Sequence, residues 1–178
     1  MVSTTLRIRG WGQRTYLVIM FQVVGRALAA ASRTDLQLRS ELAALPSGYV
    51  VQMTTPGDDV QLALRARGDG VLDRLSAAPT RRADLVIRFK HQAHAFLVFS
   101  FQEGTARAFA NDRMVADGDV AVATRLVRCL DRLETLILPA FVARRAVKRY
   151  RAPAVKTKLA LALRIYGGVA RSLFLRGR

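Results

Sequence analysis

The chain has 178 residues, 51% hydrophobic and 24% charged, a balance that excludes disorder and suits one domain with appendages. Its net charge of +16 calls for an anionic partner: membrane lipid, nucleic acid or a phosphate-bearing ligand. Cys129 is the single cysteine, which excludes an internal disulfide and agrees with a reducing compartment.

Residues 1–10 read as a loose basic lead. Arg14 to Leu45 reads as helical, with Leu17, Phe21, Val24, Leu28 and Ala31 at helical spacing and Leu38, Leu42 and Leu45 in a second section. Thr34 or Ser32 is expected to cap the break between them. The apolar run from Tyr16 to Ala31, preceded by Arg7, Arg9 and Arg14, has the outline of a signal or anchor segment. Gln22 and Arg26 interrupt it, and it falls below the roughly 20 apolar residues that span a bilayer, so a retained helix is the expectation.

Pro46-Ser47-Gly48 ends this segment. Tyr49, Val51 and Met53 then alternate with polar residues, as do Val60, Leu62, Leu64 and Ala66 after a turn at Pro56-Gly57-Asp58. Gly68-Asp69-Gly70 is a hairpin signal, because a tight turn needs positive φ. Val71 to Ser76 is a weaker strand, and Leu85, Ile87 and Phe89 alternate with Asp84, Arg88 and Lys90. These pieces read as a meander of about four antiparallel strands. Phe96 to Phe101 is apolar nearly all round and must be covered on every side. Arg113 to Asp117 alternates again and stops at Gly118-Asp119. A long helix with Asp119 as N-cap follows, burying Val122, Leu126, Leu130, Leu133 and Ile137. Arg125, Arg128 and Arg132 fall on its outer face, with Asp131 and Glu134 as candidate partners. Beyond Pro139 lie two basic amphipathic helical patterns. No acidic residue occurs before Asp35 or after Glu134. The expected organisation is therefore a helical segment over 1–47, a core over 48–138 and basic helices over 139–178.

Residues of catalytic type do not converge. His91 and His94 are two ligands at most, too few for a metal, so neither metal nor cofactor is expected. Cys129 reads as a small core residue, and Asp112, Asp117 and Asp119 as turn and cap residues. There is no nucleophile elbow, phosphate loop or paired-carboxylate arrangement, and no enzymatic activity is expected. The apolar cluster of Phe89, Phe96, Phe99, Phe101 and Phe109, with Met114, Leu126 and Leu130, is either ordinary core or the lining of a lipid cavity. In the tail, Arg144, Arg145, Lys148, Arg149, Lys156 and Lys158 are interleaved with apolar residues including Leu159 and Leu163. That is the pattern of a helix at a membrane interface. Nucleic-acid binding would want interleaved aromatics, and is the less favoured partner.

Ala83-Asp84-Leu85-Val86-Ile87, the apolar segment 95–101, Gly104 with 106–109, and Met114 four residues before Gly118-Asp119 together resemble the sterol carrier protein-2 family. The resemblance covers roughly Tyr49 to Glu134. It departs at Ala116, where relatives usually carry a branched aliphatic residue, and at Asp112, where glycine is common. It implies an α+β fold: a mixed sheet of about five strands covered by helices enclosing an apolar cavity, here with extra N- and C-terminal helices. It further implies non-enzymatic binding of a fatty acyl, sterol-like or prenyl lipid. The alternative it offers is an accessory protein of a lipid-modifying complex, such as one of ubiquinone biosynthesis, with a partner enzyme. The expected location is cytoplasmic, peripheral to an anionic membrane.

Overall fold

The structure, a computed structural model, describes residues 2–137 except 78 and 80, together with 162–164, 166 and 167. Helix α1 runs from Val2 to Thr34 and α2 from Leu36 to Leu42. Strands β1 (Val50–Thr54), β2 (Gln61–Ala66), β3 (Leu72–Arg74) and β4 (Leu85–Phe89) follow. Helices α3 (Gln92–Phe99) and α4 (Thr105–Ala110) lead to β5 (Met114–Asp117) and α5 (Val120–Ile137). The sheet order is β3-β2-β1-β4-β5. This is the α+β mixed sheet of five strands that the resemblance implied.

The plain meander is corrected at one joint. β1 pairs antiparallel with β2 but parallel with β4, with Met53 opposite both Leu62 and Ile87. The chain therefore crosses over between β3 and β4 before laying β4 beside β1. The period of two then sorts the side chains. Val51, Met53, Leu62, Leu64, Leu85, Ile87 and Phe89 share the inner face and are buried. Gln52, Ala63, Val86 and Asp117 are in register across the other face.

The helices cover the inner face. The basic lead and the apolar run form one continuous helix, α1, and Leu17, Phe21, Leu28 and Ala31 of the apolar run are fully buried in the core. Its segment Gly12–Thr34 is, by length and composition, long enough and apolar enough to cross a membrane, contrary to the expectation from the shorter run, and half of it is buried on the domain. Gly25 sets how closely α1 approaches, since a Cβ there would lie 2.3 Å from Cδ1 of Leu62 on β2. The cap between α1 and α2 is Asp35, whose carboxylate accepts from the Leu38 N–H at 2.8 Å. Ser32 instead accepts from the Leu72 N–H at 3.0 Å, tying the end of α1 to β3. Asp119 caps α5 as expected, accepting from the Ala121 N–H at 2.7 Å.

Gly118 joins β5 to α5 at φ 135°, and a Cβ there would stand 2.5 Å from the backbone oxygen of Asp84. Backbone cannot yield as a side chain can. Gly118→Ala should therefore cost about 1–3 kcal/mol in urea unfolding, whereas Gly12→Ala, whose Cβ meets nothing within 4 Å, should cost nothing. Equal stability of the two variants would remove the requirement for glycine at 118.

Candidate functional site

Helix α3 explains why its sequence is apolar nearly all round. Ala95, Val98 and Phe99 face inward. Phe99 packs on Phe21 of α1 and Phe89 of β4, with ring centroids 4.5 and 5.9 Å apart. Phe96, on another side, meets Tyr16 edge-on at 5.3 Å, and the Tyr16 hydroxyl donates to the Phe99 carbonyl at 3.0 Å. The chain then reverses through Phe101, held at φ 60°. A bulky residue in the left-handed region is a strained outlier, costing on the order of 1–3 kcal/mol. Gly104 starts α4, which turns Thr105 and Ala108 inward.

These elements close on an apolar recess. Val24 of α1, Met53 of β1, Val98 and Phe99 of α3, the Phe101 turn, and Leu130 and Leu133 of α5 form its walls. Thr105 and Glu134 are the two polar members. The enclosed free space is about 20 Å³, room for about one water and far less than a lipid chain fills. Among the described residues, the apolar interior is thus packed rather than hollow.

Glu134 is the unexpected member. It is a candidate partner for the outer-face arginines of α5 by spacing, but it is 7% exposed. The arginines use α2 instead. Arg132 holds Asp35 at 2.9 Å, and Arg125 and Arg128 approach Glu41 at 3.5 and 3.7 Å. Oε1 of Glu134 lies 3.5 Å from the Thr105 hydroxyl, and among the described residues Oε2 has no partner. Burial in apolar surroundings pushes its carboxyl up to about 8, and the Asp131 carboxylate adds to the effect. Its spacing gave a signal: Glu134 stands four residues after Leu130 and eight after Leu126, in line with the apolar stripe.

The eight residues expected to line a cavity divide into three groups. Phe99, Phe101 and Leu130 border the recess. Phe89, Met114 and Leu126 are buried in the surrounding core, and Phe96 is half-buried against Tyr16. Phe109 is 37% exposed and leaves the site, because the inward face of α4 is carried by Thr105 and Ala108. The sequence reading missed Val24, Met53, Val98, Thr105, Leu133 and Glu134. Four of these are ordinary apolar residues that only the packing singles out.

His91 precedes α3 at the N-cap and meets His94 edge-on at 5.0 Å, as a pair at a helix mouth. Cys129 is buried, and desolvation pushes its thiol up to about 12, which makes it a poor nucleophile. Of the residues expected to dock on membrane, Leu163 is exposed. Arg144, Arg145, Lys148, Arg149, Lys156, Lys158 and Leu159 lie outside the described residues.

The raised Glu134 pKa gives stability a pH dependence. A carboxyl with a folded pKa near 8 and an ordinary value of 4.5 gives its full contribution below 4.5 and loses it as pH rises through 8. Each unit between is worth ~1.4 kcal/mol. Asp131, pushed up to about 6 by burial, steepens the early part of the decline. Glu134→Gln cannot ionise. Its urea stability should fall less across this window and exceed that of the wild type above the upper limit. Parallel curves for the two proteins would show that Glu134 is not held neutral.

No family model matches the chain, and no curated protein does. Several solved structures resemble it in part. A UbiJ-SCP2 ubiquinone synthesis protein is 16% identical with a TM-score of 0.42, over 60% of this chain and 87% of that one. The apo form of sterol carrier protein 2 from Yarrowia lipolytica is 12% identical with a TM-score of 0.39, over 60% and 88%. A conserved hypothetical protein of Thermus thermophilus, described as possibly a sterol carrier protein, is 12% identical with a TM-score of 0.43, over 71% and 88%.

Proposed function

We propose that this protein is a non-enzymatic lipid-binding module of the sterol carrier type, which takes an apolar ligand into its interior while docked on an anionic membrane in the cytoplasm. The observation that carries the reading is the apolar recess where α1, α3 and α5 meet the sheet. The motif order from Ala83 to Asp119 supports it. The recess is too small for a ligand as it stands, so uptake requires movement. The Phe101 turn is the element suited to move, because it borders the recess and already carries backbone strain. Once its ring swings away, a chain entering beside Phe99 exchanges water for apolar wall, at roughly 25 cal/mol per Å² of surface buried.

The charge supplies the docking. All 13 acidic residues fall between Asp35 and Glu134, which leaves the two ends of the chain purely basic. Each cation near an anionic surface is worth ~1 kcal/mol. A second reading, an accessory protein that presents a lipid intermediate to a partner enzyme, draws on Val18 and Ile19 of α1, exposed apolar residues beside its buried stripe.

Phe99→Asp should abolish uptake of a fluorescent fatty acid by a variant whose circular dichroism is native. Undiminished uptake would take Phe99 out of the site. Binding to anionic vesicles should weaken with salt yet persist in part, and Leu163→Asp should reduce it while leaving duplex DNA binding unchanged. A protein that ignores such vesicles at physiological salt but holds DNA would reverse the assignment of its charge.

A further inference from the structure

We propose that Glu134, oriented by Thr105, is the polar anchor of the recess and takes the hydroxyl group of an uncharged amphiphile, an alcohol or phenol, in preference to an anionic headgroup. The inference deepens the lipid-binding reading and rests on it.

Three observations meet at this place. First, Glu134 is more than nine-tenths buried, lines the recess, and has an oxygen with no partner among the described residues. A buried polar atom left open costs about 1–3 kcal/mol, and an apolar side chain of similar size would relieve that cost. Second, the free space is about 20 Å³, which matches one oxygen-bearing group rather than a bulky head. A water held there would find Glu134 and Thr105 as its polar partners, and a ligand hydroxyl can take its place. Third, the electrostatics select the ligand. Asp131 is the charged neighbour that acts on Glu134, and it is negative. The carboxyl therefore stays protonated at neutral pH, so it donates through its O–H and accepts through its carbonyl oxygen. A hydroxyl does both in return. A carboxylate or phosphate can only accept, and would enter an apolar site beside an acidic pair with no cation among the described residues to meet it.

The remaining ion pairs sharpen the contrast. Glu103, equally buried, is matched by Arg113 at 2.6 Å and by Asn111 at 2.8 Å, and Asp35 by Arg132. The fold supplies partners to its other buried acids and leaves Glu134 facing the recess.

The test compares dodecanol with laurate, two chains of equal length, by isothermal titration calorimetry of the full chain at neutral pH. The wild type should bind dodecanol about tenfold more tightly, the equivalent of one hydrogen bond. Glu134→Leu should lose that preference through weaker dodecanol binding, with laurate binding unchanged or stronger. Glu134→Gln, which both donates and accepts, should retain it. Thr105→Val should weaken dodecanol binding in the same direction and serves if the leucine variant does not fold. Wild-type preference for laurate, or dodecanol binding unaffected in Glu134→Leu, overturns the anchor while leaving lipid binding intact. A wild type that binds neither ligand overturns the lipid-binding reading, and the anchor with it.

Discussion

The structure depends on the seating of α1 across the inner face of the sheet. Leu17, Phe21, Val24 and Leu28 fall on one stripe and are all buried. Through them α1 touches α3, β2, β3 and α5. Removing one such leucine to alanine costs about 2–5 kcal/mol in a well-packed core, against a total stability of about 5–15 kcal/mol. The close approach at Gly25 and the Ser32 hydrogen bond to Leu72 fix where the stripe lies. The same seating fills the interior. Phe21 stacks on Phe99, and Val24 forms part of the recess wall. A helix that completes the core thereby also limits the room beneath it.

The acidic residues show how a strongly basic chain folds without self-repulsion deciding the outcome. Among the described residues, eight of the 13 acids stand in ion pairs: Asp35, Glu41, Asp69, Asp73, Asp84, Glu103, Asp112 and Asp117. Exposed pairs such as Arg82–Asp117 contribute little, about 0–1 kcal/mol. The pairs between α2 and α5 differ, because they join segments roughly a hundred residues apart and Asp35 is buried. Asp35 serves twice, as cap of α2 and as partner of Arg132. Losing it would leave the Leu38 amide of α2 and the partly buried Arg132 guanidinium without that partner. Set against these paired acids, Glu134 has no ion-pair partner among the described residues, and a perturbed carboxyl beside an apolar recess is the ground on which it is proposed as a ligand anchor.

Much of the fold was legible in the residues. Leu85, Ile87 and Phe89 alternate as a strand and are one. Gly68-Asp69-Gly70 turns the chain between β2 and β3, with both glycines at positive φ. Asp119 caps α5, whose apolar stripe faces inward. These features are local, set by backbone sterics and by a period of two or 3.6, so a single chain carries them on its face. The site was only partly legible. Phe99, Phe101 and Leu130 of the expected lining border the recess, whereas Phe109 is exposed, since a six-residue helix has too few turns for its inward face to be read from spacing. Glu134 shares its helix with three arginines, and charge pairing along the helix outweighed its place on the stripe. The arginines found their partners on α2, and that choice is made in three dimensions.

The sequence by itself determined most of the strands and helices, the cap of α5, the hairpin turn between β2 and β3, the apolar stripes and the surplus of positive charge at the two ends. Each follows from near-neighbour chemistry or from composition. Tertiary structure alone decided that β4 would lie parallel to β1, because strand pairing across a crossover leaves no periodic trace in either strand. It decided that, among the described residues, the apolar surplus would be spent on packing α1 rather than on a wide cavity, because that outcome depends on the summed fit of side chains from five elements. It also decided that one carboxyl would be buried with no counter-charge among the described residues, since whether an acid is paired or isolated depends on which distant residues the fold brings within reach.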